Sequence, residues 1–291
     1  MFDKSRVIPT GIDVLDNCLE GGLRRSGSYL IASVEKAGKS GLIRKMVLNW
    51  VSIYNKKVLL FDTEEPREDI LTTMLAIAHK KPRKNITKED YASLSDVFDS
   101  CLELIDNTEV VNNYYIDGEF NVELVAKKIR DAKSYGIEIV VFDNVTRLGA
   151  VDWRPRANAM DILDRLAKEL DILVIVLGHT EDIKTDGLSK DFIKRVLETH
   201  QWNELLDPTI NYIPRPSRPY GGSVVTQFRG TFLLWRPFQK FSDKEAQEVS
   251  FLLVDNITHC APFQLEMTFA GERGDFIIQE GKDLGGLWKE I

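Results

Sequence analysis

The sequence predicts an α/β fold: a mostly parallel central sheet with helices on both faces and a strand-rich C-terminal part. Three observations carry that expectation. Short β-branched runs alternate with longer amphipathic ones from Tyr29 to Leu177, and near-continuous apolar strands spaced by helices mean a parallel sheet covered on both sides. The first of these strands, Tyr29–Ala32, runs into S-V-E-K-A-G-K-S (Ser33 to Ser40), the strand-to-helix turn of a phosphate-binding loop. After Gly178 the alternation stops, and the remaining apolar runs are strands without long helices between them.

Taken in order, the pattern gives the strand Tyr29–Ala32, a helix from near Gly38 to about Tyr54, the strand Val58–Asp62 and the helix Arg67–His79. A polar helical pair then spans Lys88–Cys101, followed by the strand Tyr114–Ile116, the helix Val122–Ala132 and the strand Ile137–Asp143. The helix Ala157–Glu169 and the strand Leu173–Leu177 complete the alternating part, and Thr231–Trp235, Val249–Val254 and Phe263–Phe269 are the later strands. A chain of 291 residues is long enough for one large core. We expect a single domain over 1–291, with a lead-in 1–28, a core 29–180, a nucleic-acid loop or insertion 181–222 and C-terminal strands 223–291.

The formal charge of −7 and a pI near 5.3 argue against a surface that coats duplex DNA, while a local basic groove remains compatible. Cys18, Cys101 and Cys260 are widely spaced and read as small core residues of a reducing compartment, not as a disulfide framework or zinc site. No stretch approaches ~18 apolar residues, and the N-terminus M-F-D-K-S-R lacks the apolar region of a signal peptide. The expectation is a soluble, cytoplasmic chain without a membrane partner.

The phosphate loop comprises Ser33, Val34, Glu35, Lys36, Ala37, Gly38, Lys39, Ser40 and Gly41, with Ser33 where the usual pattern has its first glycine. Backbone N–H groups and a helix N-terminus cradle phosphates, Lys39 reaches the terminal ones and the Ser40 hydroxyl ligates Mg²⁺. The strand Val58–Phe61 ends in Asp62-Thr63-Glu64-Glu65, at the edge where ligands bind in open parallel sheets. A carboxylate there can orient or deprotonate the water that attacks a γ-phosphate; Glu64 is the choice by alternation, with Glu65 the alternate and a solvated acidic turn the structural explanation. Asp143, closing the apolar strand from Ile137, has the Walker B form and would hold the Mg²⁺ shell. His179, after the strand Leu173–Leu177, either senses the γ-phosphate or is a satisfied surface imidazole.

The order I-P-T-G-I-D-V-L-D (Ile8 to Asp16), G-G-L, the phosphate loop, L-L-F-D-T-E, N-I-T-K-E-D-Y (Asn85 to Tyr91), Y-Y-I-D, V-V-F-D-N and L-A-K-E-L-D-I-L-V-I-V-L-G-H resembles the RecA-like motor domain of DnaB-type hexameric replicative helicases. The phage and mitochondrial primase-helicase branch is the nearest, which makes a phage-encoded chain an expectation. The resemblance runs from Ile8 to about Phe276 and implies a RecA-like P-loop NTPase with ATP and Mg²⁺ as cofactors, acting as a helicase or translocase on single-stranded DNA in replication. It gives Lys39 and Ser40 to ATP and Mg²⁺, Glu64 the part of catalytic base, Asp143 to Mg²⁺, His179 the part of phosphate sensor and Gln227 a place in the glutamine-bearing segment of the nucleotide site. It also implies a ring-shaped homo-oligomer, a hexamer, with a primase or another replication protein as partner.

Two loops then face the nucleic acid. One holds Arg147, Trp153, Arg154 and Arg156; the other, Thr180–Gly222, holds Lys184, Lys190, Lys194, Arg195, Arg215 and Arg218, with Tyr212 and Tyr220 as stacking rings. A solvated basic face is the alternative for each. Departures matter too: the family places an arginine at the end of a late strand to reach the neighbouring subunit's ATP, and Phe251–Cys260 holds neither arginine nor lysine. Arg229, Arg236 or Arg273 would have to substitute. The phosphate loop starts about thirty residues in, which leaves no room in this sequence for a primase-like or collar domain before it, so ring assembly would rest on the motor domain. The rival reading is a degenerate ATP-binding switch protein with slow hydrolysis and no unwinding; a circadian-type or recombinase-type relative is disfavoured by N-I-T-K-E-D-Y and Y-Y-I-D.

Overall fold

The computed structural model describes residues 4–116, 119–144, 153–180, 189–201, 204, 228–239, 244–255 and 257–283. In chain order the lead-in gives β1 (Val7–Ile8), α1 (Asp13–Cys18) and β2 (Leu23–Arg24), with β1 and β2 paired antiparallel. The segment I-P-T-G-I-D is a strap. The Asp16 carboxylate accepts from Thr10 N–H at 2.7 Å, Thr10 Oγ1 at 2.8 Å and Gly11 N–H at 3.0 Å, which closes the turn. β3 (Gly27–Ser33) leads through the phosphate loop to α2 (Lys39–Ser52). Asn49 and Trp50 on α2 donate to the carbonyls of Thr10, Gly11 and Pro9 at 2.7–3.1 Å, so the strap is tied to the phosphate-loop helix.

β4 (Val58–Asp62), α3 (Arg67–His79), α4 (Lys88–Ala92) and α5 (Ser95–Cys101) follow. Then come β5 (Leu102–Ile105), α6 (Asn107–Tyr114), a small hairpin of β6 (Tyr115–Ile116) and β7 (Glu119–Phe120), and α7 (Val122–Ser134). β8 (Ile139–Asp143), α8 (Trp153–Glu169), β9 (Leu173–His179) and α9 (Lys190–Thr199) precede β10 (Gly230–Trp235), α10 (Lys244–Glu248), β11 (Val249–Asp255), β12 (Phe263–Ala270) and β13 (Asp275–Asp283).

The large sheet has the order β13-β12-β11-β10-β3-β9-β8-β4-β5. From β10 to β5 every pairing is parallel, and from β10 to β13 every pairing is antiparallel. The strands separate two cores. On one face α2 and α3 pack Ile43, Trp50 and Met74 against Ile31, Leu60 and Ile175; on the other α7 and α8 pack Ile129 and Leu163 against Leu30, Phe142 and Val176. Fully burying each such side chain contributes about 1.5–3 kcal/mol, and burial on both faces explains why these strands are apolar at consecutive positions.

Three expectations need correction. Tyr114–Ile116 is not a strand of the main sheet: Tyr114 ends α6, whose N-terminus is fixed by the Asp106/Glu109 capping box, and Tyr115–Ile116 pairs only with β7. The sheet edge is β5, a four-residue strand that follows α5 directly. The stretch read as a polar loop after Gly178 contains α9, capped where Ser189 Oγ accepts from Phe192 N–H at 3.1 Å, and the chain adds a last strand, β13, beyond Phe269. Of the cysteines only Cys101 is buried; Cys18 and Cys260 are partly exposed, and all three are free thiols.

Candidate functional site

The parallel strands β3, β4, β8 and β9 end on one edge, and the register pairs Asp62 with Asp143 and Ser33 with His179. That shared direction gathers the sequence-predicted residues. Ser33 is extended strand, paired with Leu234 and His179, so no left-handed backbone is needed at the position where a glycine is missing. Gly38 does need one: its φ is 98°, and a Cβ there would lie 2.8 Å from the Phe276 ring. α2 begins at the next residue, with Lys39 buried behind the loop.

Lys39 Nζ lies 3.2 Å from His179 Nδ1. Burial pulls the ammonium pKa down, and the carboxylates of Asp143, Glu64 and Glu35 work against that pull. His179 Nε2 lies 3.1 Å from Asn144 Nδ2, which donates to Glu64 Oε1 at 2.7 Å. Glu64 is thereby linked to the same cluster as the lysine. Glu65 turns elsewhere, to Arg44 Nη1 at 3.1 Å.

Arg44, on the second turn of α2, was not singled out by sequence. Its Nη2 donates to Asp62 Oδ2 at 2.7 Å, with both side chains buried. Burial opposes its charge, but Asp62, Glu65 and Asp143 outweigh that and hold the guanidinium protonated above its ordinary range. The other oxygen of Asp62 accepts from the N–H groups of Glu64 and Glu65, each at 2.9 Å. Arg44 and Asp62 together therefore set the turn that points one glutamate at the site and the other away.

Asp143 is buried, and burial first, then the neighbouring Asp62 carboxylate, push its pKa up to about 7; a hydrogen bond from Ser40 acts in the opposite direction. Its Oδ1 is buried with no hydrogen-bond partner among the described residues. A hydroxyl and a carboxylate oxygen side by side, one with an unused lone pair, fit a hard cation such as Mg²⁺.

The C-terminal half supplies a wall that sequence reasoning missed. Arg236, just past β10, donates to Lys36 O at 3.4 Å and to Gln247 O, and its guanidinium lies 4.0 Å over the Phe269 ring. Desolvation brings its pKa down to about 10. Gln239 donates to Glu35 O at 3.4 Å. The turn between β12 and β13 presses on α2 so closely that a Cβ on Gly41 would stand 2.0 Å from Gly274 O.

The three candidate arginines separate. Arg236 and Arg273 sit by this chain's own phosphate loop or in the turn that touches α2. Arg229 lies at the opposite pole, its Nη1 donating to Arg25 O at 3.0 Å and its carbonyl accepting from Thr258 N–H at 3.2 Å. Arg154 and Arg156 fall in the first turn of α8, and their side chains, with Arg147, Lys184, Arg215, Arg218, Tyr212, Tyr220 and Gln227, lie outside the described residues.

A phosphate loop between the central strand and its following helix, with acids on the neighbouring strand ends, defines a RecA-like P-loop domain. More narrowly, the family described as DnaB-like helicase C terminal domain matches residues 7–181, and the chain belongs to that family. The replicative DNA helicase DnaB of Buchnera aphidicola is 28% identical over 186 residues, which are 59% of this chain and 39% of that protein. The chain thus spans well under half the length of that relative.

Solved structures agree on the fold. A DnaB-like replicative helicase, studied with its interactions with primase, superposes with a TM-score of 0.68 at 19% identity over 93% of this chain and 61% of that one. An isolated ATPase domain gives 0.68 at 18% identity over 96% and 94%. A KaiC-like protein of Pyrococcus horikoshii gives 0.58 at 14% identity over 94% and 99%. No helix among the described residues is long and apolar enough to cross a membrane.

Proposed function

We propose that the chain is the ATP-hydrolysing motor of a DnaB-type helicase, working as a ring of identical subunits, a hexamer, on single-stranded DNA. The observation that supports it most directly is the convergence of Lys39, Ser40, Glu64, Asp143 and His179 on one strand-end crevice. Lys39 binds terminal phosphate oxygens, and Ser40 with Asp143 would hold Mg²⁺, which neutralises charge on the phosphates when bound. Glu64 orients the attacking water and takes its proton. The N–H groups from Val34 to Ser40 receive the phosphates at the helix N-terminus. Arg236 stacked on Phe269 offers a flat cationic and aromatic flank for a purine base.

The test is ATP turnover with and without single-stranded DNA, with particle mass measured under the same conditions. Turnover stimulated by DNA in a multi-subunit particle is the expected result. The second reading, an ATP-binding switch, is favoured by one specific observation. Where the resembled family carries its trans-acting arginine, this chain has Ile257, Thr258 and His259. Slow turnover that ignores both DNA and protein concentration would establish it.

A further inference from the structure

Asn144 follows β8, the strand that lies between β9, which carries His179, and β4, which leads to Glu64. The residue is 1% exposed. Its backbone is fastened to the turn before Glu64: its N–H donates to Thr63 Oγ1, and the Thr63 hydroxyl lies 3.2 Å from its carbonyl. Its side chain touches both neighbours. One amide nitrogen reaches Glu64 Oε1 at 2.7 Å and His179 Nε2 at 3.1 Å, while the far ring nitrogen, Nδ1, faces Lys39 Nζ at 3.2 Å. An unbroken line of contacts therefore runs from the phosphate-loop lysine through the imidazole and the amide to the carboxylate.

Hydrogen-bond inventory gives that line two settings. An ionised carboxylate only accepts, so the amide atom facing Glu64 is the nitrogen, and the same nitrogen meets the imidazole. A lysine ammonium also only donates, and a neutral imidazole has one accepting nitrogen at a time. Lys39 and Asn144 thus compete for a single lone pair on His179. With Lys39 on Nδ1, the ring proton sits on Nε2 and opposes the Asn144 N–H groups. With Lys39 drawn to a phosphate oxygen, the ring becomes the Nδ1–H tautomer, Nε2 accepts from Asn144, and the second N–H of Asn144 stays on Glu64.

We propose that Asn144 is a positioning residue that couples the phosphate contact of Lys39, through His179, to the placement of the Glu64 carboxylate. This rests on the ATPase reading. Glu64 is anchored on both sides once Lys39 has left His179, and the attacking water is aligned only in that setting. In the nucleotide-free chain the Asn144–His179 contact is unsatisfied, and Glu64 is held by the amide alone.

The first test needs no turnover. In nucleotide-free protein with ¹⁵N-labelled histidine, the His179 signals, assigned by their loss in His179→Gln, should report the Nε2–H tautomer in wild type and Nδ1–H in Lys39→Ala. The same tautomer in both proteins overturns the proposal whatever the enzyme does. The second test is kinetic: Asn144→Leu should bind ATP within about 3-fold of wild type and lose roughly 10²-fold in kcat, the scale of a misplaced reacting group. Adding His179→Ala to Asn144→Leu should then cost nothing further, because the two act on one line. Unchanged kcat in Asn144→Leu, or fully additive losses, overturns the coupling while leaving the ATPase reading intact; a wild-type chain that binds ATP without hydrolysing it overturns both.

Discussion

The two halves of the sheet feed the phosphate loop by different rules. From β10 to β5 all strands run in one direction, so each C-terminal end opens on the same edge and Ser33, Asp62, Asp143 and His179 meet there without special loop design. From β10 to β13 direction alternates, and only every second strand end reaches that edge: Arg236 after β10 and Phe269 near the end of β12 arrive, whereas β11 ends at Asp255 opposite Thr231, on the far side. The parallel half, which the family match covers, brings the reactive groups. The antiparallel half brings walls, and sends the segment after β11 to the opposite pole. A residue's role here follows from strand direction as much as from its chemistry.

The largest expected effect tests that division. An arginine acting on a neighbour's phosphoryl group is worth about 10³–10⁵ in rate, and it must project from a surface away from its own loop. Of the three candidates only Arg229 is so placed, so Arg229→Ala should remove the concentration-dependent part of ATP hydrolysis while ATP affinity holds. Arg236→Ala should instead weaken nucleotide binding at every protein concentration. If the two results are exchanged in steady-state assays across protein concentration, the far pole is not the donor face.

Next in size, Glu64→Gln should bind ATP near normally and lose about 10²–10⁴ in kcat, the range for a positioned base. Glu65→Gln should change kcat little, because its carboxylate is engaged by Arg44. Equal losses in both variants would mean that the turn held by Asp62 is not what separates the two acids.

Stability sharpens the comparison further. Arg44→Met in the parallel half strips the buried Asp62 of its cation and should cost about 3–5 kcal/mol in chemical denaturation, the scale for leaving a buried charge unpaired. Lys45→Met breaks the 2.9 Å pair with Asp275 in the antiparallel half, where one partner is partly exposed, and should cost about 1 kcal/mol.

The smallest effect is on pH. The Asp143 carboxyl is pushed up to about 7, so it is protonated below that pH and cannot serve a cation. Mg²⁺-dependent nucleotide binding should therefore weaken as pH falls below about 7, approaching tenfold per pH unit for one competing proton. Calorimetric titrations at about pH 6, 7 and 8 check this, and Asp143→Asn should abolish the dependence. A flat profile would place the cation elsewhere.

Much of the parallel half was legible because buried strands leave long apolar runs that end on acids: Val58–Asp62 and the close of β8 at Asp143 were read directly. β5 was not, since Leu102-Glu103-Leu104-Ile105 is short, carries a charge and follows α5 without a turn signal. Tyr114–Ile116 looked like a strand from its aromatic and β-branched residues, yet the D-x-x-E pattern from Asp106 to Glu109 was the better signal and marked a helix. Lys39, Ser40, Glu64, Asp143 and His179 are local motifs, and the geometry brings them together. Arg44, Asn144, Arg236 and Phe269 carry no motif; their places depend on which elements become neighbours, and no spacing along the chain reports that.

The central place of β3 has a consequence in time. Tyr29 is flanked by Ile175 on one side and Gly230 on the other, so the strand that bears the phosphate loop is synthesised early and acquires its neighbours late. Contacts that distant in sequence are slow to close, and a ribosome-bound chain holding only its first half has Ser33 to Ser40 but no sheet to mount them on. ATP stabilises only chains in which the loop is already built. Nucleotide can therefore slow the unfolding of the finished molecule, but it cannot guide a nascent one, and newly made chains depend on chaperones or on speed through that interval.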